Sequence, residues 1–113
     1  MPRACRTLEP RCCPARATLL TGQYAHNHGV TSTDLPNGYN GLNHANTLAV
    51  WLRRAGYKTA MVGKYLNGYG IDDGIPEPVS DKKVIPPGWR DWYALTADKD
   101  QRRYHYWLNE NGK

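Results

Sequence analysis

The residues best suited to chemistry lie in one short run, Cys12-Cys13-Pro14-Ala15-Arg16, which continues Ala17-Thr18-Leu19-Leu20-Thr21-Gly22. Pro14 is placed for the first turn of a helix and Gly22 for its end, so the run reads as a short helix with a cysteine just before its start. A helix start presents unpaired backbone N–H groups and the positive end of the helix dipole, and Arg16 adds a fixed charge one turn on. That combination favours an anion, either a thiolate at Cys12 or an anionic substrate held beside it. The same spacing fits a buried cysteine with a surface arginine, and spacing alone does not separate the two. Lys64 follows Gly63 at the expected carboxyl end of a strand, where α/β folds place their sites. His26 and His28 stand two residues apart in a polar loop and by themselves read more readily as surface histidines than as a functional pair.

The elements that must position these residues are few. Asn46 or Thr47 caps a predicted helix from Leu48 to Ala55 that Gly56 ends, with Leu48, Trp51, Leu52 and Ala55 on one apolar stripe. Tyr57 to Val62 alternates like a strand, which is expected to pack on that helix and leads into Gly63-Lys64. Helix, glycine and strand in this order are half of an α/β unit. Gln23 to Asn46 reads as loop, as does the Pro- and Gly-rich stretch holding Ile75-Pro76-Glu77-Pro78 and Ile85-Pro86-Pro87-Gly88. Trp92 to Leu95 and Tyr104 to Leu108 are expected to supply one or two further strands, with a turn at Asn109-Glu110-Asn111-Gly112.

Composition narrows the function classes. At 113 residues the chain holds at most one ordinary domain, and its mean hydropathy of −0.74 is polar. It contains no apolar run long enough for a transmembrane helix and no secretory leader pattern in Met1 to Pro10. A net charge of +5 favours an anionic partner. The basic residues are scattered, with no nucleic-acid motif among them, so sequence-specific nucleic-acid binding is not expected. All 3 cysteines, Cys5, Cys12 and Cys13, lie at one end of the chain, a poor framework for disulfides. Their spacing to His26 and His28 matches no usual structural zinc pattern.

The first run resembles the C-x-P-x-R…L-T-G signature of the type I sulfatases. Gly56-Tyr57-Lys58-Thr59-Ala60-Met61-Val62-Gly63-Lys64 resembles their second signature, in the right order. Cys12-Cys13-Pro14, His26-Asn27-His28, Gly63-Lys64-Tyr65-Leu66-Asn67, Pro87-Gly88-Trp89 and Trp92-Tyr93-Ala94-Leu95 are similar to one branch, the N-acetylglucosamine-6-sulfatases and heparan endosulfatases, which act on glycosaminoglycans. The resemblance covers roughly residues 12–112.

What the resemblance implies is specific. The fold would be α/β, a fragment of an alkaline-phosphatase-like sandwich with a mixed sheet flanked by helices. Residues 12–113 would be a partial catalytic domain, and residues 1–11 an irregular segment unlike the family's apolar approach to the cysteine, attributed to a truncated or misassigned reading frame. The reaction would be hydrolysis of a sulfuric ester on a glucosamine-6-sulfate-like sugar. In the family the motif cysteine is oxidised to formylglycine by a dedicated generating enzyme, and the aldehyde hydrate is the nucleophile. Its second hydroxyl later expels sulfate, which a plain Ser or Cys ester lacks the means to do. Cys12 would be that residue and, once converted, a ligand to a divalent metal, usually calcium. Arg16 would orient it, Lys64 would contact the sulfate oxygens, and His26, His28 and Asn67 would line the sugar pocket. Leu66 stands where many sulfatases carry a histidine, which disfavours aryl-sulfate specificity. Gln23 replaces a basic residue common in the tail that the generating enzyme reads. Cys13 is expected to serve packing or spacing.

The family's paired aspartates before the cysteine, and its later metal pair, histidine and second lysine, have no counterparts here. Asp72-Asp73 reads as solvated turn chemistry. The isolated chain is therefore expected to be inactive, and a non-catalytic remnant or basic anion-binding module is the alternative. The family's setting would be secreted, periplasmic or lysosomal.

Overall fold

The computed structural model describes residues 11–33, 37–70, 84–96 and 106–113. Asp72-Asp73, Ile75 to Pro78, Tyr104-His105 and residues 1–10 lie outside the described residues.

Helix α1 spans Cys12–Thr21. It begins two residues earlier than Pro14 alone suggested, with extended Arg11 as its N-cap and the first turn closed by Ala15 N–H donating to Arg11 O at 3.1 Å. Pro14 still falls in the first turn, where a missing N–H removes no helical bond. Gly22 ends the helix as expected, its N–H reaching Thr18 O at 2.8 Å. Cys13, Ala17 and Thr21 recur at four-residue spacing and form the buried face, with Pro14 beside them. A single turn, α2 (Ala25–His28), follows, then a 3-10 turn at Tyr39–Gly41.

Helix α3 is Leu48–Arg54, with Thr47 at its N-cap. It closes with paired bonds from Gly56 N–H to Arg53 O at 3.1 Å and Tyr57 N–H to Leu52 O at 3.0 Å, a Schellman motif. Its inward face differs from the expected stripe. Ala49 and Val50 are buried, while Leu48 and Trp51 are 42% and 41% exposed. The reason is the neighbour. Gly88, at φ 91°, lies so close that a Cβ would overlap the main chain of Ala49 and Val50, so the helix is seated on its small residues. Among the described elements, α3 packs more closely on α1 than on the strand that follows it.

Three strands make one mixed sheet in the order β1-β2-β3. Strand β1 (Ala60–Lys64) runs parallel to β2 (Asp91–Leu95), from Ala60 opposite Asp91 to Lys64 opposite Leu95. Strand β3 (Leu108–Glu110) is antiparallel to β2, so the last segment is a strand where a turn was expected, and the turn shifts to Asn111-Gly112. β1 likewise starts three residues later than the alternation from Tyr57 suggested. Thr59 is held back as an anchor: its hydroxyl donates to Gly88 O at 2.5 Å and accepts from Arg90 N–H at 3.1 Å.

The core joins Cys13 and Ala17 of α1 to Val30, Tyr39 and Leu42, to Tyr65, Leu66 and Tyr69 after β1, and to Trp92 and Ala94 of β2. Its polar centre is the Tyr69 hydroxyl. It accepts from Trp92 Nε1–H and Asn109 Nδ2–H, both at 2.7 Å, and donates to Val84 O at 2.6 Å. Every proton and lone pair of that oxygen is used. Two histidines serve the loops. His44 Nε2–H donates to Tyr39 O at 3.0 Å, leaving Nδ1 to accept from the Tyr65 hydroxyl at 3.3 Å. Val30 N–H donates to His28 Nδ1 at 3.1 Å, which assigns the His28 proton to Nε2 and makes it the donor to Thr18 Oγ1 at 3.1 Å.

Two outcomes follow from these contacts. Tyr69→Phe leaves two buried donors and a carbonyl without their shared partner, and urea unfolding should show a loss on the order of 2–3 kcal/mol. The second concerns acid. Burial holds both histidines below the ordinary value of 6.5, so the unfolded chain binds protons more readily than the folded one. Stability is therefore full above about pH 6.5 and falls as pH drops through that value toward the folded pKa. Urea midpoints measured at about pH 7.5 and about pH 5.5 should show the drop, and His28→Gln should reduce it, since glutamine cannot take the proton that would set two donors face to face at Nδ1.

Candidate active site

The site is built where the first turn of α1 meets the carboxyl end of β1. Cys12 is the first helical residue and is partly exposed. Arg16 lies one turn on, on the same side of the helix, because residues four apart are stacked along it. Its Nε–H donates to Cys12 Sγ at 3.1 Å and its Nη1–H to Lys64 O at 2.7 Å. The guanidinium thus bridges the two motifs, 48 residues apart in sequence. Gly63 makes this possible on the strand side. Its φ of 103° lies in a region that side-chain-bearing residues avoid, and no atom lies near where its Cβ would be. Glycine is required there by backbone conformation alone, since it turns the strand end at which Lys64 offers its carbonyl. The Lys64 side chain is exposed.

A second contact ties the same two pieces of chain. Asn67 N–H donates to Cys13 Sγ at 3.1 Å, and Asn67 O accepts from Tyr39 N–H at 3.1 Å. Burial pushes the Cys13 thiol above its ordinary value, partly offset by the Asn67 N–H, so its sulfur is a neutral acceptor. Leu66, between Lys64 and Asn67, is 2% exposed and belongs to the core.

The two histidines have different surroundings. His28 is buried and spends both ring nitrogens on Val30 and Thr18, bracing α2 against α1. His26 is exposed and stacks on Tyr24, ring centroids 5.8 Å apart. The structure links Cys12, Arg16 and Lys64 through Arg16, which reaches the sulfur of Cys12 and the main-chain carbonyl of Lys64. The Lys64 carbonyl and the Cys13 sulfur are partners that residue types alone do not mark. Cys13 had one legible signal, its four-residue spacing to Ala17 on the buried face. Nothing in the sequence marked Tyr39 as the partner of Asn67.

Around Cys12 the described residues supply cations rather than carboxylates. Asp91 pairs with Arg90 at 3.9 Å at the opposite end of the sheet, beside Ala60, and Glu110 lies on β3. Calcium takes six to eight oxygen ligands. Among the described residues no group of three His, Cys, Asp or Glu side chains is placed to hold a metal, so these residues alone do not fit that centre. What the arrangement does offer is one fixed positive charge, the Arg16 guanidinium, and a helix start meeting at the Cys12 side chain.

Comparison with known proteins extends the motif resemblance. The family model described as Sulfatase matches residues 5–108. The chain is 40% identical over 108 residues to human N-acetylglucosamine-6-sulfatase, covering 90% of this chain and 18% of that protein. It is 39% identical over 110 residues to the extracellular sulfatase SULF-1 homolog of Drosophila melanogaster, covering 95% of this chain and 9% of that protein. An arylsulfatase of Volvox carteri is 37% identical over 93 residues, 78% of this chain and 13% of its own length. The chain therefore spans less than a fifth of each of these relatives. No solved structure matches it significantly. The likeness first carried by the residues around Cys12 and Lys64 thus runs through nearly the whole chain, which belongs to the sulfatase family.

Proposed function

We propose that the protein to which these residues belong is a sulfuric ester hydrolase that removes sulfate from a glucosamine-6-sulfate-like sugar, with Cys12 converted to formylglycine by a generating enzyme. The observation that carries this reading is the Arg16 guanidinium, bonded at once to Cys12 Sγ and to Lys64 O. Formylglycine supplies, as its hydrate, the nucleophile and the second hydroxyl needed for turnover. The described residues have separate tasks. Arg16, fixed at two points, holds the side chain at position 12 in one orientation and places positive charge beside it. The exposed Lys64 ammonium meets the sulfuryl oxygens, where negative charge accumulates as the ester bond breaks. Asn67 and His26 contact the sugar, and His28 holds the short turn that carries His26. The relatives named for N-acetylglucosamine-6-sulfate support the sugar class, and the one named an extracellular sulfatase supports a secreted setting. No described helix is long and apolar enough to cross a membrane.

The test is co-production of the whole protein with the generating enzyme. Mass spectrometry of the peptide spanning position 12 should show the thiol converted to an aldehyde. A persistent thiol, in a host shown to convert other sulfatases, would overturn the reading. In converted protein, Arg16→Gln and Lys64→Ala should each lower sulfate release from a sulfated N-acetylglucosamine by about 10²–10³-fold, the effect of removing one preorganised charge-stabilising group. The 113 residues alone should show no measurable turnover, since among the described residues no group of three His, Cys, Asp or Glu side chains is placed to hold the metal the family uses.

A further inference from the structure

We propose that Cys13 is a positioning residue: its sulfur holds the Asn67 main chain against the first turn of α1, so that the loop carrying Lys64 and Asn67 meets a bound sulfated sugar at a fixed distance from position 12. The inference rests on the hydrolase reading for its consequence in catalysis, and on geometry for the contact itself.

The chain from Lys64 to Asn67 leaves β1 and is gripped at both ends. At the start, Lys64 O accepts from Arg16, which alone would leave the following residues free to swing. At the end, both polar groups of the Asn67 main chain are occupied, the N–H by Cys13 Sγ and the C=O by Tyr39 N–H. Between them Tyr65 and Leu66, 3% and 2% exposed, are sunk in the core. Arg16 and Cys13 sit on adjacent turns of one helix, so one rigid element sets both ends of the loop. The loop's main chain thereby inherits its position from the element that carries Cys12.

Packing alone does not account for the residue. Cys13 is wholly buried, and any small apolar side chain would fill its place. Only a side chain with an acceptor atom satisfies the Asn67 N–H. A thiol is a weak acceptor, yet leaving this part-buried N–H without a partner costs more than a weak bond returns. The neighbouring cysteines therefore divide their tasks: Cys12 is partly exposed beside Arg16, and Cys13 faces inward as a neutral thiol.

Two substitutions separate the hydrogen bond from the volume. Cys13→Ser keeps an acceptor and loses size; Cys13→Val keeps size and loses the acceptor. Amide hydrogen exchange of the full chain reads the contact directly, with the Gly22 amide, bonded to Thr18 O at the far end of α1, reporting whether the helix itself is intact. The expected result is a protected Asn67 amide in the parent, little change in Cys13→Ser, and about tenfold faster exchange in Cys13→Val, at unchanged Gly22 protection. In converted whole protein the same order should appear as a raised KM for a sulfated N-acetylglucosamine in Cys13→Val, with kcat largely kept and Cys13→Ser close to the parent. An unprotected Asn67 amide in the parent overturns the proposal without recourse to a variant, and so does greater protection in Cys13→Val than in Cys13→Ser. If converted protein hydrolyses no sulfate ester at all, the hydrolase reading fails, while the exchange order still decides the role of Cys13.

Discussion

The arrangement depends on one cation with two bonds. Arg16 donates to the sulfur of Cys12 and to the carbonyl of Lys64, and it satisfies both only if α1 starts where it does and β1 ends where it does. A shift of one residue in the helix would rotate Arg16 about 100° away from Cys12's side. A shift of one residue in the strand would move the carbonyl by more than 3 Å, beyond hydrogen-bond reach. The guanidinium thus makes the relative placement of the two motifs a geometric condition, and its fork of donors is suited to that. Lysine at position 16 would carry the charge without fixing the directions.

The condition is met because the surrounding core is stiff where it must be. Tyr65 lies edge-on to Trp92 with ring centroids 5.1 Å apart, and Tyr69 does the same at 5.3 Å. Such contacts fix ring orientation as well as burying area. The Tyr69 hydroxyl then couples three separate stretches of chain: Trp92 in β2, Asn109 in β3 and the carbonyl of Val84. A buried network of this kind stabilises strongly only when complete. The residues leaving β1 are therefore held from the sheet side by aromatic packing and from the helix side by Cys13 and Arg16. His28 and Thr18 brace the other end of the same helix, and that brace weakens with acid.

Much of this was legible from residue types. Pro14 and Gly22 marked α1, Thr47 and Gly56 marked α3, and the run into Gly63-Lys64 marked a strand end beside the helix start. The failures have identifiable causes. The stripe of Leu48 and Trp51 has the right period for a buried face, but period alone does not say which neighbour arrives. A glycine 38 residues after Val50 in sequence brought a main chain close enough that only Ala49 and Val50 fit beneath it. Asn109 and Glu110 read as part of a turn because Asn and Gly dominate Asn109 to Gly112. Yet Asn109 is buried, with both ends of its side chain bonded: Nδ2 to the Tyr69 hydroxyl and Oδ1 to Gly112 N–H. A polar residue that completes a buried network leaves no mark in a hydrophobic pattern. The same is true of Cys13, whose size is visible in the sequence and whose acceptor role appears only once Asn67 is placed beside it.

Position 66 shows how packing narrows chemistry in this loop. Sulfatases that carry a histidine there have a polar side chain two residues beyond the lysine, whereas here Leu66 is part of the core. An imidazole in that setting would need partners for both ring nitrogens or would lose stability. The surrounding groups are already committed: Tyr65 to His44, Tyr69 to Trp92, Asn109 and Val84. With position 66 turned inward, the next residue of this loop is Asn67, which is partly exposed. Its main chain is held on both sides, and its side chain is an uncharged amide able to donate and accept at once. Such a group matches the hydroxyl and acetamido groups of a sugar better than a featureless aromatic ring. In the proposed function, sugar preference therefore begins with Leu66: by filling the core it leaves the partly exposed Asn67 beside it as the residue proposed to contact the sugar.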